Sequence, residues 1–300
     1  VAGFRRRRAR RGDRVLQEPR AALRAHQRAA PAVAPRRGSL SAGLAARLAT
    51  AAVLIVGLLA ALFLLPREWL AGLVAILVAL AALEWARLCR ISEQAARLYA
   101  AAAVTAYLIL FYESADRVVF AAASAYWLLV AVPWMLRGVA PSHAPALAVA
   151  GFLVFVPAGL AMVSLQPTQV LLVIGLASVA DSAAYFAGRA WGRHKLAPTI
   201  SPGKTWEGAA AGLAAGLAYA IICAAVFDEA AWLPYMGGAA LLVVMSIFGD
   251  LFESAVKRQA GAKDSGSLLP GHGGLLDRVD SATATLPVAA FLWPFLERMK

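Results

Sequence analysis

The sequence predicts an all-α polytopic integral membrane protein of about nine transmembrane helices behind a disordered basic N-terminal tail. Three observations lead there. Hydrophobic residues make up 61% of the 300 positions and mean hydropathy is +0.68, above the range of soluble domains. The apolar residues fall in runs of about 20, the length that crosses a bilayer as a helix. The charge is also segregated. Residues 1–47 hold 13 of the 29 Lys and Arg against only Asp13 and Glu18, so the tail carries nearly all of the net +12.

The tail comes first. Arg5–Arg11 and the Ala/Pro/Arg-rich sequence to Arg37 lack the apolar residues to build a core. Residues 1–47 are therefore expected to be a cytoplasmic extension that helps fix topology. Their functional reading is attraction to anionic headgroups, at about 1 kcal/mol per basic residue near the surface. No apolar run follows Arg5-Arg6 until about Ala49, so a cleaved twin-arginine signal is not expected.

Residues 48–300 then read as one membrane-embedded domain. Spans are expected at 48–65, 69–86, 97–112, 117–136, 146–165, 168–188, 206–227, 232–253 and 282–296. Small residues at Ala209–Gly216 and Gly237–Ala240 suit close helix packing. Cys89 and Cys223 offer neither a disulfide framework nor a metal–thiolate cluster. With the tail inside, the inside loops carry twelve Lys and Arg and the outside loops and C-terminal end carry four, which supports nine spans with the N-terminus in the cytoplasm. Two inside loops are long and polar, Gly188–Thr205 and Glu253–Ser281, and in this topology they converge on one face.

Ionisable groups at membrane depth are costly and by default mark function. In the sixth span, Ser178, Asp181, Ser182 and Tyr185 share one helix face. The reading is a cavity lining; the bland alternative is an aspartate bonded to neighbouring helices. The loop beyond contains Gly203-Lys204-Thr205, the end of a phosphate-binding P-loop. Pro198 stands where that motif needs glycine, and a membrane helix rather than a strand precedes it, so the strict motif fails. What survives is an anion cradle of Ser201, Lys204, Thr205 and the amides opening the seventh span. Pro202 would set the turn, and Glu207 would complement the helix dipole.

Asp250, Ser254, Lys257 and Arg258 share a face at the end of the eighth span. Such a face can be a salt-bridged helix end or a divalent-metal ligand beside phosphate-binding cations. The sequence that follows adds Lys263-Asp264, His272 between glycines, then Asp277, Arg278 and Asp280. Separated carboxylates from a helix and a loop suit a metal–phosphate site. His26, His143 and His194 lie outside this cluster and read as surface residues.

From Ser254 to Asp280 the chain resembles the signature of the phosphatidate cytidylyltransferases (CDP-diglyceride synthases). Ser254, Lys257, Arg258, Lys263, Asp264, Pro270, His272, Gly273, Gly274, Asp277, Arg278 and Asp280 all stand at that family's spacing. Asp181-Ser182, Gly188, Gly192-Arg193, Pro198, Ser201-Pro202, Lys204-Thr205 and Glu207-Gly208 are similar to its second recurring block. The clear match covers residues 175–281.

The resemblance implies a membrane enzyme that joins CTP and phosphatidate into CDP-diacylglycerol and pyrophosphate. It implies Mg2+ with a second cation, such as K+, nearby. Asp250 and Asp277 are the expected metal ligands, and Lys257 and His272 complete the catalytic set. Asp181, Ser201, Lys204, Thr205, Ser254, Arg258, Lys263 and Arg278 are the expected substrate contacts. The implied partners are CTP, phosphatidate and membrane lipids, with a homodimer as one assembly and no nucleic acid. The implied location is the cell inner membrane, with the site facing the cytoplasm. A CTP-dependent lipid-alcohol kinase is the nearest rival. An ion-coupled transporter would need internal repeats that are not visible, and a membrane scaffold leaves the polar island unexplained.

Overall fold

The computed structural model describes residues 52–53, 55–113, 116–227, 232–266 and 273–298. The basic tail, the first part of the first expected span and His272 lie outside them. The chain divides into two compact units between residues 53 and 54, and the account below concerns the second.

Among the described residues eight helical segments are long and apolar enough to cross a membrane, and they match the second to ninth expected spans. A shorter apolar helix, α1 (Ile55–Leu64), stands at the first. The others are α2 (Arg67–Leu88), α3 (Glu93–Glu113), α4 (Asp116–Ala125), α5 (Val132–Arg137), α6 (Ala144–Ser164), α7 (Pro167–Trp191), α8 (Trp206–Val226), α9 (Trp232–Ala260) and α10 (Leu276–Glu297). A wider π-helical turn, Tyr126–Ala131, joins α4 to α5, making one span from Asp116 to Arg137. The fold is thus polytopic and α-helical. Among the described residues it has one β element, an antiparallel hairpin of β1 (Lys195–Ala197) and β2 (Ser201–Thr205), in the long polar loop where no strand was foreseen.

Two boundaries differ from expectation in ways that matter for chemistry. The expected end of the eighth span is 253, with a loop from Glu253 to Ser281, although Ser254, Lys257 and Arg258 read on its helix face; α9 does continue through them to Ala260, and α10 begins at Leu276. Lys257, Arg258 and Gln259 are good helix formers, so nothing stops the helix before Gly261. There Gly261, at φ 74°, donates to the Arg258 carbonyl and Ala262 donates to the Lys257 carbonyl, a Schellman ending. Asp277, Arg278 and Asp280 consequently sit on a helix. α2 ends in the same way on Arg90, at φ 59°, with Arg90 and Ile91 donating to the carbonyls of Arg87 and Ala86.

The core runs from Trp85, Trp127, Tyr107 and Phe252 to Leu147, Leu160 and Met245, all fully buried. Phe252 of α9 lies against the rings of Trp85, Trp127 and Trp134. α7 packs against α8, α9 against α10, and α2 against α3 and α6. Small residues make the first contact close. A methyl at Gly208 would lie 2.7 Å from the Ala184 carbonyl, and one at Gly212 would lie 2.9 Å from that of Ala180. α7 and α8 therefore approach backbone to backbone, which brings Asp181 beside the hairpin end of α8.

Candidate active site

The last turns of α7 and α9, the hairpin and the first turns of α10 meet in one polar cluster, so the two long loops do converge. The hairpin carries Lys204, whose Nζ pairs with Asp250 Oδ2 of α9 at 2.6 Å. Asp250 Oδ1 accepts from Ser254 Oγ at 3.3 Å, one turn on. Asp181 of α7 accepts from Ser281 Oγ of α10 at 3.2 Å and interacts electrostatically with Lys204 and Asp250. Arg258 Nε donates to the Ile200 carbonyl at the hairpin turn, at 3.3 Å.

A second, more enclosed pair lies beside the first. Lys257 Nζ sits between Glu253 Oε2 at 2.8 Å and Asp277 Oδ1 at 2.7 Å, with all three side chains no more than 10% exposed. Asp277 Oδ2 also accepts from the backbone N–H of Gly274 at 2.8 Å and of Ser265 at 3.0 Å. Asp280, one turn from Asp277, interacts electrostatically with Asp250, Lys257 and Lys204, and so joins the two pairs.

Sequence-derived candidates thus sort by position. Asp181, Lys204, Asp250, Ser254, Lys257 and Asp277 come together, with Arg258 tying α9 to the hairpin. Asp250 and Lys257 share a helix face by spacing, yet their side chains choose different partners. Ser201 is half-buried at the start of β2, and Lys263 and Arg278 are exposed. Ser178, Ser182 and Tyr185 are exposed around the partly buried Asp181.

Thr205 has a structural role. It is buried, and its Oγ1 caps α8 by accepting from the Gly208 N–H at 3.1 Å. A bound phosphate would have to displace that cap. Thr205→Val should therefore lower stability by about 1 kcal/mol while Thr205→Ser should not, read as Tm in detergent. Pro202 lies within β2 rather than at the helix entry, and Glu207 reaches back to His194, accepting from its N–H at 3.2 Å.

Two functional candidates were missed. Glu253, taken only as a loop boundary, is buried and holds Lys257. Glu84 of α2 is 1% exposed and accepts from Ser265 and from the start of α10. Its signal was available, since an acid inside the apolar run AALEW carries the membrane-depth cost.

The charge arrangement says what the cluster can do. Five carboxyl groups, Asp181, Asp250, Glu253, Asp277 and Asp280, lie with Lys204, Lys257 and Arg258, a mixed set of acids and cations that could hold a metal ion together with phosphate oxygens. Among the described residues no three His, Cys, Asp or Glu side chains form a ready-made metal cage. An ion held here would draw further ligands from water or substrate oxygens, the usual manner of Mg2+ with phosphates.

The profile of the cytidylyltransferase family matches residues 45–296. The chain belongs to this family. It is 41% identical over 265 residues to a phosphatidate cytidylyltransferase of Pseudomonas aeruginosa, covering 82% of this chain and 96% of that protein. Proteins of the same name from Haemophilus influenzae and Brucella suis are 44% identical over 135 residues and 50% over 130. Each of these matches spans less than half of either chain. A match over 82% of the chain takes in most of its first half, which in the sequence offered only its hydrophobicity, so the similarity extends well beyond the polar signature.

Proposed function

We propose that this protein transfers the cytidylyl group of CTP to phosphatidate in a Mg2+-dependent reaction. A phosphatidate phosphate oxygen attacks the α-phosphorus of CTP. The bond from the α-phosphorus to the β-phosphate bridging oxygen breaks, and CDP-diacylglycerol and pyrophosphate leave. The observation that carries the reading is the pair of lysine–carboxylate bridges, Lys204–Asp250 and Lys257–Asp277, set side by side at one end of the helices.

A phosphate monoester is mostly anionic near neutral pH, so no strong base is required. The demand is to bring two anions together and to stabilise the leaving pyrophosphate. Lys204 and Lys257 already lie in the cluster, and Arg258, Lys263 and Arg278 would be further phosphate contacts. Asp250 and Asp277 would hold Mg2+, with a second cation such as K+ nearby; the bound Mg2+ would supply positive charge to the triphosphate. Asp250 is the more open of the two, at 29% side-chain exposure against 10%. His272 would orient a phosphate or a water rather than remove a proton.

The test uses purified protein, phosphatidate, Mg2+ and CTP labelled at the α-phosphate. Label should enter the lipid as pyrophosphate appears. Lipid labelled instead from γ-labelled CTP, with CDP released, would establish the kinase reading. The site is further proposed to face the cytoplasm of the inner membrane, on the side favoured by the loop charges. A cysteine placed at the exposed Gly261 should react with an impermeant thiol reagent from that side only; labelling from the other face would overturn the orientation.

A further inference from the structure

One buried carboxylate of the first half, Glu84, bonds to the polar segment of the second. Glu84 Oε1 accepts from the Leu275 N–H at 2.9 Å, and Oε2 accepts from the Leu276 N–H at 2.9 Å and from Ser265 Oγ at 2.8 Å. Leu275 and Leu276 carry the unpaired amides at the start of α10, where the helix dipole also favours a negative charge. Asp277 is the next residue. Its own contacts are the Ser265 and Gly274 amides and Lys257. Apart from Lys257, the groups around Asp277 thus belong to the segment that Glu84 holds.

Ser265 links the two acids. Its hydroxyl has a single proton and two carboxylate oxygens in reach, Glu84 Oε2 at 2.8 Å and Asp277 Oδ2 at 3.1 Å. The hydroxyl therefore bridges the two acids, and the Ser265 backbone N–H reaches Asp277 Oδ2 as well. Gly274 gives independent support. A Cβ there would collide with Ser265 Oγ and would lie 2.5 Å from Glu84 Oε2 and 2.7 Å from the Gly266 nitrogen. The second glycine of the Gly-Gly pair is needed because Glu84 occupies the space that a side chain would fill.

We infer that Glu84 is a positioning residue for the reaction. From the second span it fixes the start of α10 and Ser265, and through the Ser265 hydroxyl and amide it holds the Asp277 carboxylate in place for a cation. The inference rests on the assignment of Asp277 proposed above.

Glu84→Gln tests it in the full-length protein, because the amide keeps the size but offers one acceptor oxygen where three donors converge. kcat should fall by about 10- to 100-fold and the apparent Mg2+ activation constant should rise by about 10-fold, the usual effect of losing a group that orients a metal ligand. KM for CTP should change less. Backbone deuterium exchange should rise at residues 265–266 and 273–276 and stay at the wild-type level in the other helices. Ser265→Ala should move the same quantities in the same direction, and should serve alone if Glu84→Gln does not insert. Wild-type kcat and Mg2+ dependence in the inserted variant would overturn the inference. So would exchange raised throughout the helices with the Mg2+ constant unchanged, which is the pattern of a packing residue. If wild-type turnover itself ignores Mg2+, the metal assignment of Asp277 fails, while kcat and local exchange still decide whether Glu84 positions the segment.

Discussion

Asp250→Asn and Asp277→Asn should each reduce turnover by at least about 1,000-fold in protein that still inserts and folds. The expectation follows from their placement on different helices, α9 and α10, each paired with a lysine and coupled through Asp280. Asparagine keeps the shape but removes the charge, so both the proposed cation and the lysine geometry lose their anchor. Because the two acids act as one unit, the double variant should be little worse than either single one. Steady-state rates across a Mg2+ titration check this. Near-normal turnover of either variant at saturating Mg2+ would remove that residue from the metal assignment.

The second large effect belongs to Lys257. Its ammonium is enclosed between Glu253 and Asp277, and Lys257→Met leaves two buried acids without their cation. Breaking a buried pair from one side costs about 3–5 kcal/mol, mainly because the remaining charge is uncompensated. Lys257→Met should therefore lower Tm markedly as well as abolish turnover. Adding Glu253→Gln should restore part of the lost Tm but none of the activity, since it removes one of the stranded acids without returning the cation. A wild-type Tm in Lys257→Met would mean that the acids are solvated.

The span pattern and the polar cluster were legible in the sequence for a common reason. Apolar runs of bilayer length and charged groups interrupting them are both local signals, readable without knowing what packs against what. Asp181 and Asp250 stood out because each breaks a hydrophobic background, and Lys204 and Asp277 because they lie in the two polar loops. Partner choice was not legible. Lys257 and Asp250 share a helix face, but Lys257 turns to Glu253 and Asp277, while Asp250 takes Lys204 from the hairpin. Glu84 meets Ser265 at a separation of 181 residues, a contact that only tertiary packing creates. The hairpin escaped because five residues of β2 containing proline and glycine have no strand signal of their own. The helical start at Leu276 escaped because its N-terminal amides are satisfied by a remote carboxylate instead of a local cap.

The length of α9 has a consequence for where the two substrates can meet. Its 29 residues rise about 44 Å, against about 30 Å for the hydrocarbon layer. From Trp232 to Asp250 the rise is about 27 Å, so a helix entering at Trp232 reaches the far polar boundary near Asp250 and carries Lys257 beyond it. A lipid with its tails in the bilayer holds its phosphate at that same depth. A water-soluble nucleotide reaches the same plane from the other side without crossing oil. In the proposed reaction the last turns of α9 would serve as a landing at which neither reactant has to leave its own solvent.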